Sequence, residues 1–292
     1  MLRLLVGVSQ TGSLSGSAKV AGIAQSNASR TLKTLERRLG YPLLVRSPRG
    51  STLTQEGQLT VEWAREALDA IDRLALGANA LAHTKQTELT IVASMTIAEH
   101  LLPGWIGTFR SLYPGLNTKL KVMNSSEVIE AVEHDKGELG FVETPQLPDS
   151  LQSTPVRDDQ LVAVVGPTHP WAQQPPELTA SQLANTALIE REEGSGTRAF
   201  LDLFVGKKRP EPLMEFNSNF AICQAAIEGI GPAVLSRLAV HGHLHTGQLI
   251  SVPITGQPLE RSLRAVWQRR TGLSAGAKAF IQVARDSAED ND

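Results

Sequence analysis

The sequence predicts an α/β protein with an all-α-dominated N-terminal domain, and three observations predict it. Residues 13–39 read as two short helices meeting at a tight turn, residues 55–81 as one long helix with an apolar seam, and residues from 88 onward as strands alternating with helices. The 292 residues are enough for two or three domains with their own cores, and 41% hydrophobic content places the chain among folded proteins rather than disordered or fibrous ones. The opening MLRLLVGVS is too short for a signal-peptide core, and no later run approaches the roughly 20 apolar residues of a membrane span. A cytoplasmic protein with no membrane partner is therefore expected. Cys223 is the only cysteine, which excludes an intrachain disulfide and a paired-thiol switch and suits a small buried apolar side chain.

Charge is unevenly spread. Residues 1–54 hold eight Lys or Arg against the single acid Glu36, a balance of +7, while the remainder carries 20 bases and 29 acids, a balance of −9. A basic end on an acidic body fits a chain whose one end meets a polyanion.

Taken in order, Leu2, Leu4, Leu5 and Val8 form a first short helix, Thr11 and Gly12 break it, and Ser13 caps the next. Ala18, Ala21 and Ala24, with Gly22 and Ile23 at the turn, let two helices approach closely, as a helix-turn-helix requires. In the second of these helices Ala28, Leu32, Leu35 and Leu39 make one apolar stripe, and Ser26 is the expected N-cap. The opposite face offers Gln25, Ser26, Asn27, Ser29 and Arg30 to base edges, and Lys33, Arg37 and Arg38 to phosphates. An ordinary solvated basic face is the bland alternative, and the flanking segments decide against it. Gly40 reads as a C-cap, and the following YPLLVRSPRGSTLT as two extended pieces around a turn at residues 47–50. That hairpin is a wing, with Arg46 at its base and Arg49 at its tip, placed to touch the DNA backbone or minor groove.

With these pieces together, residues 2–60, including GSLSGSAKVAGIAQSNASRTLKTLERRLGYPLLVRSPRGSTLTQEG, resemble the winged helix-turn-helix of the LysR-type transcriptional regulators. The match covers both helices, the wing and the Thr54-x-x-Gly57 entry to the next helix. Two departures stand out: the run before the first helix is short, and Asn27 occupies a position where the family often has a small or apolar residue.

From Gln55 to Leu81 the residues Leu59, Trp63, Ala67, Ala70, Leu74, Gly77 and Leu81 repeat by fours and threes on an otherwise charged helix, a seam suited to a second helix. The resemblance implies a linker helix that pairs two subunits, and a homotetramer as the full assembly. The polar stretch at 82–87 is the expected hinge. The domain reading is thus 1–54 for the DNA-binding domain, 55–87 for the linker and hinge, and 88–292 for the remainder.

That remainder shows strands at 89–93, 117–122 and 139–142 separated by helices, with a restart expected at Pro103 and a cap at Asn124 or a neighbouring serine. A second unit is read from Leu161, with strands at LVAVV, ALIE, MEF and AVL and helices near 179–183, after Gly196 and from Asn219. Strand 263–267 returns to the first unit, and residues 286–292 form a frayed acidic end. The boundaries are about 88–160 with 268–292 for one lobe and about 161–267 for the other. Residues 88–270, clearest at SMTIAEHLLPGWIGTFRSLYPG, ELGFVE and EREEGSGTR, resemble the family's two-lobed effector domain, which is built like the type 2 periplasmic binding proteins.

Ligands of open α/β sheets sit at the C-terminal ends of strands. The loops there carry Ser94, Met95 and Thr96; Asn124, Ser125 and Ser126; Glu143 and Thr144; Gly194, Ser195, Gly196 and Thr197; and Asn219. Hydroxyls and helix N-termini suit a small anion or carboxylate, whereas Glu143 opposes one unless it meets an amine or a base. Histidines 241, 243 and 245 invite a metal reading, but without nearby acids a surface turn is expected. No catalytic constellation, metal or cofactor is expected. The sequence therefore predicts a DNA-binding regulator responsive to a small anion. The alternatives are a solute-binding protein or a small-molecule enzyme on the same architecture.

Overall fold

The computed structural model describes the chain except residues 48–49, 83–87, 174–177, 207, 257 and 290–292. Two compact units result, residues 1–82 and 83–292.

In the first unit, helix α1 (Leu2–Thr11) buries Leu4, Leu5 and Val8 and stops at Gly12, whose φ of 69° is a left-handed C-cap. Helix α2 (Leu14–Val20) starts at Ser13, whose hydroxyl accepts from the Gly16 N–H at 3.0 Å. The close approach of α1 and α2 is made by Gly7 against Ser17: a Cβ on Gly7 would lie 2.4 Å from Ser17 Oγ, which itself donates to the Leu4 carbonyl. Of the alanines expected to let α2 approach the helix that follows the turn, only Ala18 is buried, while Ala21 and Ala24 are exposed.

Helix α3 (Gln25–Leu39) begins earlier than expected. Its N-cap is Ala24, so Ser26 lies inside the first turn and no side chain caps this end. Ala28, Leu32 and Leu35 are buried against α1 and α2, whereas Leu39 is largely exposed beside the C-cap Gly40. Strands β1 (Leu44–Ser47) and β2 (Gly50–Leu53) form the antiparallel wing, Leu44 opposite Leu53. Glu36 ties α3 to the wing, its Oε1 accepting from the backbone N–H groups of Leu43 and Leu44 at 2.9 and 3.2 Å. Thr54 Oγ1 accepts from Gly57 N at 2.8 Å and opens helix α4 (Gln55–Ala82); a Cβ on Gly57 would meet the Leu43 carbonyl at 2.3 Å. That contact is the physical content of the Thr54-x-x-Gly57 spacing.

Helix α4 has two apolar faces. Thr60, Val61 and Ala64 are buried in their own unit, while Leu59, Trp63 and Leu74 are 48%, 58% and 73% exposed. No helix among the described residues is long and apolar enough to cross a membrane.

The second unit opens with β3 (Glu88–Ala93), α5 (Met95–His100), α6 (Leu102–Leu112), β4 (Asn117–Val122), α7 (Ser125–Glu133) and β5 (Leu139–Val142). Pro103 sits in the first turn of α6, the expected restart. Asn124 caps α7 in a reciprocal box with Glu127. Strand β6 (Leu151–Val165) follows, then α8 (Pro170–Gln173), α9 (Ala180–Ala184), β7 (Ile189–Arg191), α10 (Gly196–Val205), β8 (Met214–Phe216), α11 (Asn219–Ile227), β9 (Ala233–Ser236), α12 (Arg237–His245), β10 (Ile250–Val252), β11 (Leu259–Gln268) and α13 (Ala275–Glu289). The segment LVAVV is the last third of β6 rather than a strand of its own. The three histidines lie on α12, not in a turn, and residues 286–289 continue α13.

These strands make one sheet in the order β4-β3-β5-β11-β6-β9-β7-β8, with β10 paired to β6. The β3–β4 and β3–β5 pairs are parallel, as are β7–β8 and β7–β9. The long antiparallel pair β6–β11 runs between the two ends, with a register shift between Leu263 and Arg264, and residues 264–266 return to β5. Trp105, Phe109, Phe141 and Phe280 stack in the core beneath β3–β5. Cys223 is buried in the other core, and burial pushes its thiol up to about 11.

Because Glu36 satisfies two backbone donors at once, Glu36→Ala is expected to destabilise the N-terminal unit by about 1–3 kcal/mol, with Glu36→Gln losing less. Hydrogen exchange at the amides of residues 1–82, followed in the full chain across a urea series, measures both.

Candidate functional site

Two regions carry chemistry. On the first unit, Gln25, Ser26 and Asn27 are exposed in the first turn of α3, and Arg30, Lys33 and Arg37 are exposed farther along the same helix. Ser29 is half-buried. Arg30, Lys33 and Arg37 also line a shallow cavity of about 720 Å³ with Tyr41 and Pro42. The backbone of Arg46 lies in β1, and Arg49 falls outside the described residues. An uncapped helix end with amide and hydroxyl side chains, followed by a basic flank, matches what a major-groove reader presents to bases and then to phosphates.

On the second unit, the strand ends of β3, β5, β7 and the loops before α7 and α11 converge. Glu143, at the end of β5, is 1% exposed. Its carboxylate accepts from Ser94 Oγ at 2.6 Å and from Thr96 Oγ1 at 3.1 Å. Thr96 Oγ1 accepts in turn from Asn219 Nδ2 at 3.4 Å, and Asn219 Oδ1 accepts from Arg191 Nη1 at 3.0 Å. The Asn219 amide also donates to Glu99 Oε2 at 3.3 Å. One continuous run of hydrogen bonds thus leads from a guanidinium on β7 to a carboxylate on β5.

The facing loop belongs to α10. A Cβ on Gly196 would lie 2.5 Å from Glu143 Cγ and 2.7 Å from Ser125 Oγ, so only glycine lets the α10 N-terminus come this close to both side chains. Gly194, at φ 89°, packs on the Asn124 side chain, and its carbonyl accepts from Ser126 N at 3.1 Å. Ser195 is the N-cap of α10, yet its side chain makes no cap bond. The hydroxyls of Ser195 and Ser125, each 1% exposed, have no hydrogen-bond partner among the described residues. Met95 and Thr144 are half-buried at the margins.

Sequence reasoning missed several members of this cluster. Arg191 pairs with Glu192 through Nε and Nη2 at 2.8 and 3.0 Å. Arg261, on β11, bonds Asp159 through Nε at 2.8 Å and Thr197 Oγ1 through Nη1 at 3.1 Å. Its Nη2 is also 2.8 Å from Asp159 but is not aligned for a hydrogen bond, so that contact is purely electrostatic. His100 sits near Glu99, Asp159 and Glu143, and burial outweighs their pull, holding its imidazole below the ordinary range. Arg191 was within reach of the sequence, since it precedes the loop EEGSGT. Arg261 and Asp159 were not, because only the β6–β11 register brings them together. Arg198 turns away from the cluster to Glu190 and Glu215. Among the described residues no group of His, Cys, Asp and Glu could hold a metal ion.

A basic reading helix on one unit and a convergent polar site on a two-ended α/β sheet define a class, the DNA-binding transcriptional regulators that carry their own effector-binding domain. The chain belongs to the LysR family. Residues 1–58 match the bacterial regulatory helix-turn-helix protein of the lysR family, and residues 82–289 match the LysR substrate binding domain. The chain is 36% identical over 285 residues to the uncharacterized HTH-type transcriptional regulator Rv2282c of Mycobacterium tuberculosis, covering 94% of this chain and 91% of that one. It is 30% identical to the HTH-type transcriptional regulator CysL of Bacillus subtilis, covering 98% and 96%. Among solved structures, the regulatory domain of Synechocystis CcmR in complex with 2-PG is similar at 27% identity and a TM-score of 0.62, covering 70% of this chain and 99% of that one.

Asn27 and Lys33 separate the two modes of contact. Asn27→Ala is expected to change sequence preference, by about 1–3 kcal/mol at one base position. Lys33→Ala is expected to weaken binding to all sequences alike and lower the salt slope by about 1. Selection from a randomised duplex pool and a salt titration read the two outcomes.

Proposed function

We propose that the chain is a one-component regulator whose DNA affinity or geometry responds to a small anionic metabolite or oxyanion held between the two lobes of its effector domain. Residues 1–54 form the reading head, 55–87 the dimerising linker and hinge, and 88–292 the effector domain. Its lobes are about 88–160 with 268–292 and about 161–267, joined by the strands that cross between them. Bases are read by Gln25, Ser26, Asn27, Ser29 and Arg30, and phosphates are held by Lys33, Arg37, Arg46 and Arg49.

The observation that carries the effector reading is the pair of buried, unpartnered hydroxyls of Ser125 and Ser195 at an N-terminus of α10 that no side chain caps. Buried polar groups are otherwise almost always satisfied, and helix N-termini favour anions. The CcmR domain, solved with 2-PG, supports a small ligand in a domain of this build. The direct contacts of Asn219 with Thr96 and Glu99, and of Gly194 with Ser126, join the two sides of the site, which supports a coupling of ligand occupancy to lobe closure. The similarity to proteins named transcriptional regulators supports a site for binding rather than turnover.

The exposed seam of Leu59, Trp63 and Leu74 supports self-association through α4. We assign a homodimer to it, and a homotetramer to the full assembly.

Two measurements test this reading. In a thermal-shift screen of inorganic oxyanions, carboxylates and amino acids, at least one ligand near 100 Kd is expected to add about 2.7 kcal/mol of stability. The Ser125→Ala/Ser195→Ala double variant is expected to lose most of that gain, and an undiminished gain would place the site elsewhere. Trp63→Glu/Leu74→Glu is expected to convert the oligomer to monomer at about micromolar concentration in sedimentation velocity, burying two charges in the seam being prohibitive. An unchanged sedimentation coefficient refutes the α4 interface.

A further inference from the structure

The two walls of the candidate site have opposite hydrogen-bonding character. On one, the serines 125 and 195 have hydroxyl protons to give, backed by the N-terminus of α10. On the other, the protons of Ser94 and Thr96 are already committed to Glu143. A carboxylate that accepts on both oxygens is acceptor-only, and a hydroxyl that donates its one proton inward has only lone pairs left. That wall therefore offers a ligand acceptors and negative charge.

Charge points the same way. The two arginines that reach the site are each matched by an acid of their own, Arg191 by Glu192 and Arg261 by Asp159. No lysine or arginine among the described residues forms an ion pair with Glu143, which is nonetheless buried; beside the Asn219 amide, the charged partner of Glu99 among the described residues is His100, at 3.7 Å. Buried carboxylates require a paired cation or a dense set of donors, and here two hydroxyls are what the protein supplies.

We infer, building on the anion-site reading above, that the effector carries an ammonium group beside its anionic group, with Glu143 as the residue that selects the ammonium. The ligand class is a small zwitterion of the α-amino acid type. Its carboxylate lies on Ser125, Ser195 and the α10 N-terminus, and its ammonium lies on Glu143 within reach of Ser94 and Thr96. The closeness of the two walls at Gly196 sets the short separation between the ligand's charges. A simple oxyanion meets donors on one side and a carboxylate on the other, so it is disfavoured. Glu143 thereby discriminates by repulsion as well as attraction.

The test uses the full chain and matched probes: the twenty common amino acids, then for each that raises the melting temperature its deaminated acid and its decarboxylated amine, with sulfate and phosphate alongside. Titration calorimetry is expected to show the amino acid binding at least roughly tenfold tighter than either partner, the scale of one charge-assisted hydrogen bond. Glu143→Gln, which keeps a side-chain acceptor for Ser94 or Thr96, is expected to lose the preference for the amine-bearing ligand. The wild-type ligand series reads that preference even if the variant fails to fold. A deaminated acid, sulfate or phosphate binding as tightly as any amino acid, or more tightly to Glu143→Gln, overturns the zwitterion and leaves the anion site standing. Amines binding without a carboxylate, or no member of the panel binding at all, overturn both.

Discussion

The effector unit depends on the hydrogen-bond run from Arg191 through Asn219 and Thr96 to Glu143. Every donor in it points the same way, because a guanidinium can only give protons and an ionised carboxylate can only take them. The direction of the Asn219 amide and the Thr96 hydroxyl follows from these two fixed ends. Since Arg191 and Asn219 come from one end of the sheet and Thr96 and Glu143 from the other, the same bonds that order the site also hold its two sides together. Under the proposed function, a ligand that exchanged partners with Thr96 or Glu143 would alter that connection, and a local binding event would reach both sides of the domain.

The wall opposite Glu143 is held by a separate ionic frame. Glu190 on β7 takes Arg209 and lies 3.6 Å from Arg198, while Asp202 within α10 also takes Arg209. These pairs hold α10 against β7 through Arg198 and Asp202, and Arg261 reaches Thr197 from the crossing strand β11. The α10 N-terminus is thus placed by charge on its far side and by a glycine on its near side. Buried ion pairs of this kind contribute little net stability, but they set position, here that of the uncapped start of α10.

In the N-terminal unit Glu36 plays a comparable part. It is the one acid in a strongly basic segment, and its carboxylate is spent on the backbone of the wing. That contact ties α3 to the hairpin beside it. Helix α4 grows from the same unit through Thr54 and Gly57, which connects its exposed seam to the wing and α3.

Local pattern carried much of this architecture. The leucine and alanine spacing of α3, the glycines that end α1 and α3, the restart at Pro103 and the cap at Asn124 all follow from short-range physics, and each is legible in a handful of adjacent residues. The loops that bear Ser94, Ser125, Glu143, Ser195 and Asn219 were legible too, because they end strands. The start of α3 was misplaced by the serine at 26, since capping preference is weaker than the extended backbone at Ala24 that the turn imposes. The histidines of 241–245 join a helix because Val240 is drawn into the core and carries the segment with it. What the residues do to one another across the fold was decided only in three dimensions. No spacing in the chain announces that Glu143 takes the protons of Ser94 and Thr96, or that Arg261 spends its charge on Asp159. Sequence determined which groups stand at the mouth of the sheet; the tertiary structure decided which of them are still free to bind, because hydrogen-bond capacity is finite and its allocation depends on contacts between residues far apart in the chain.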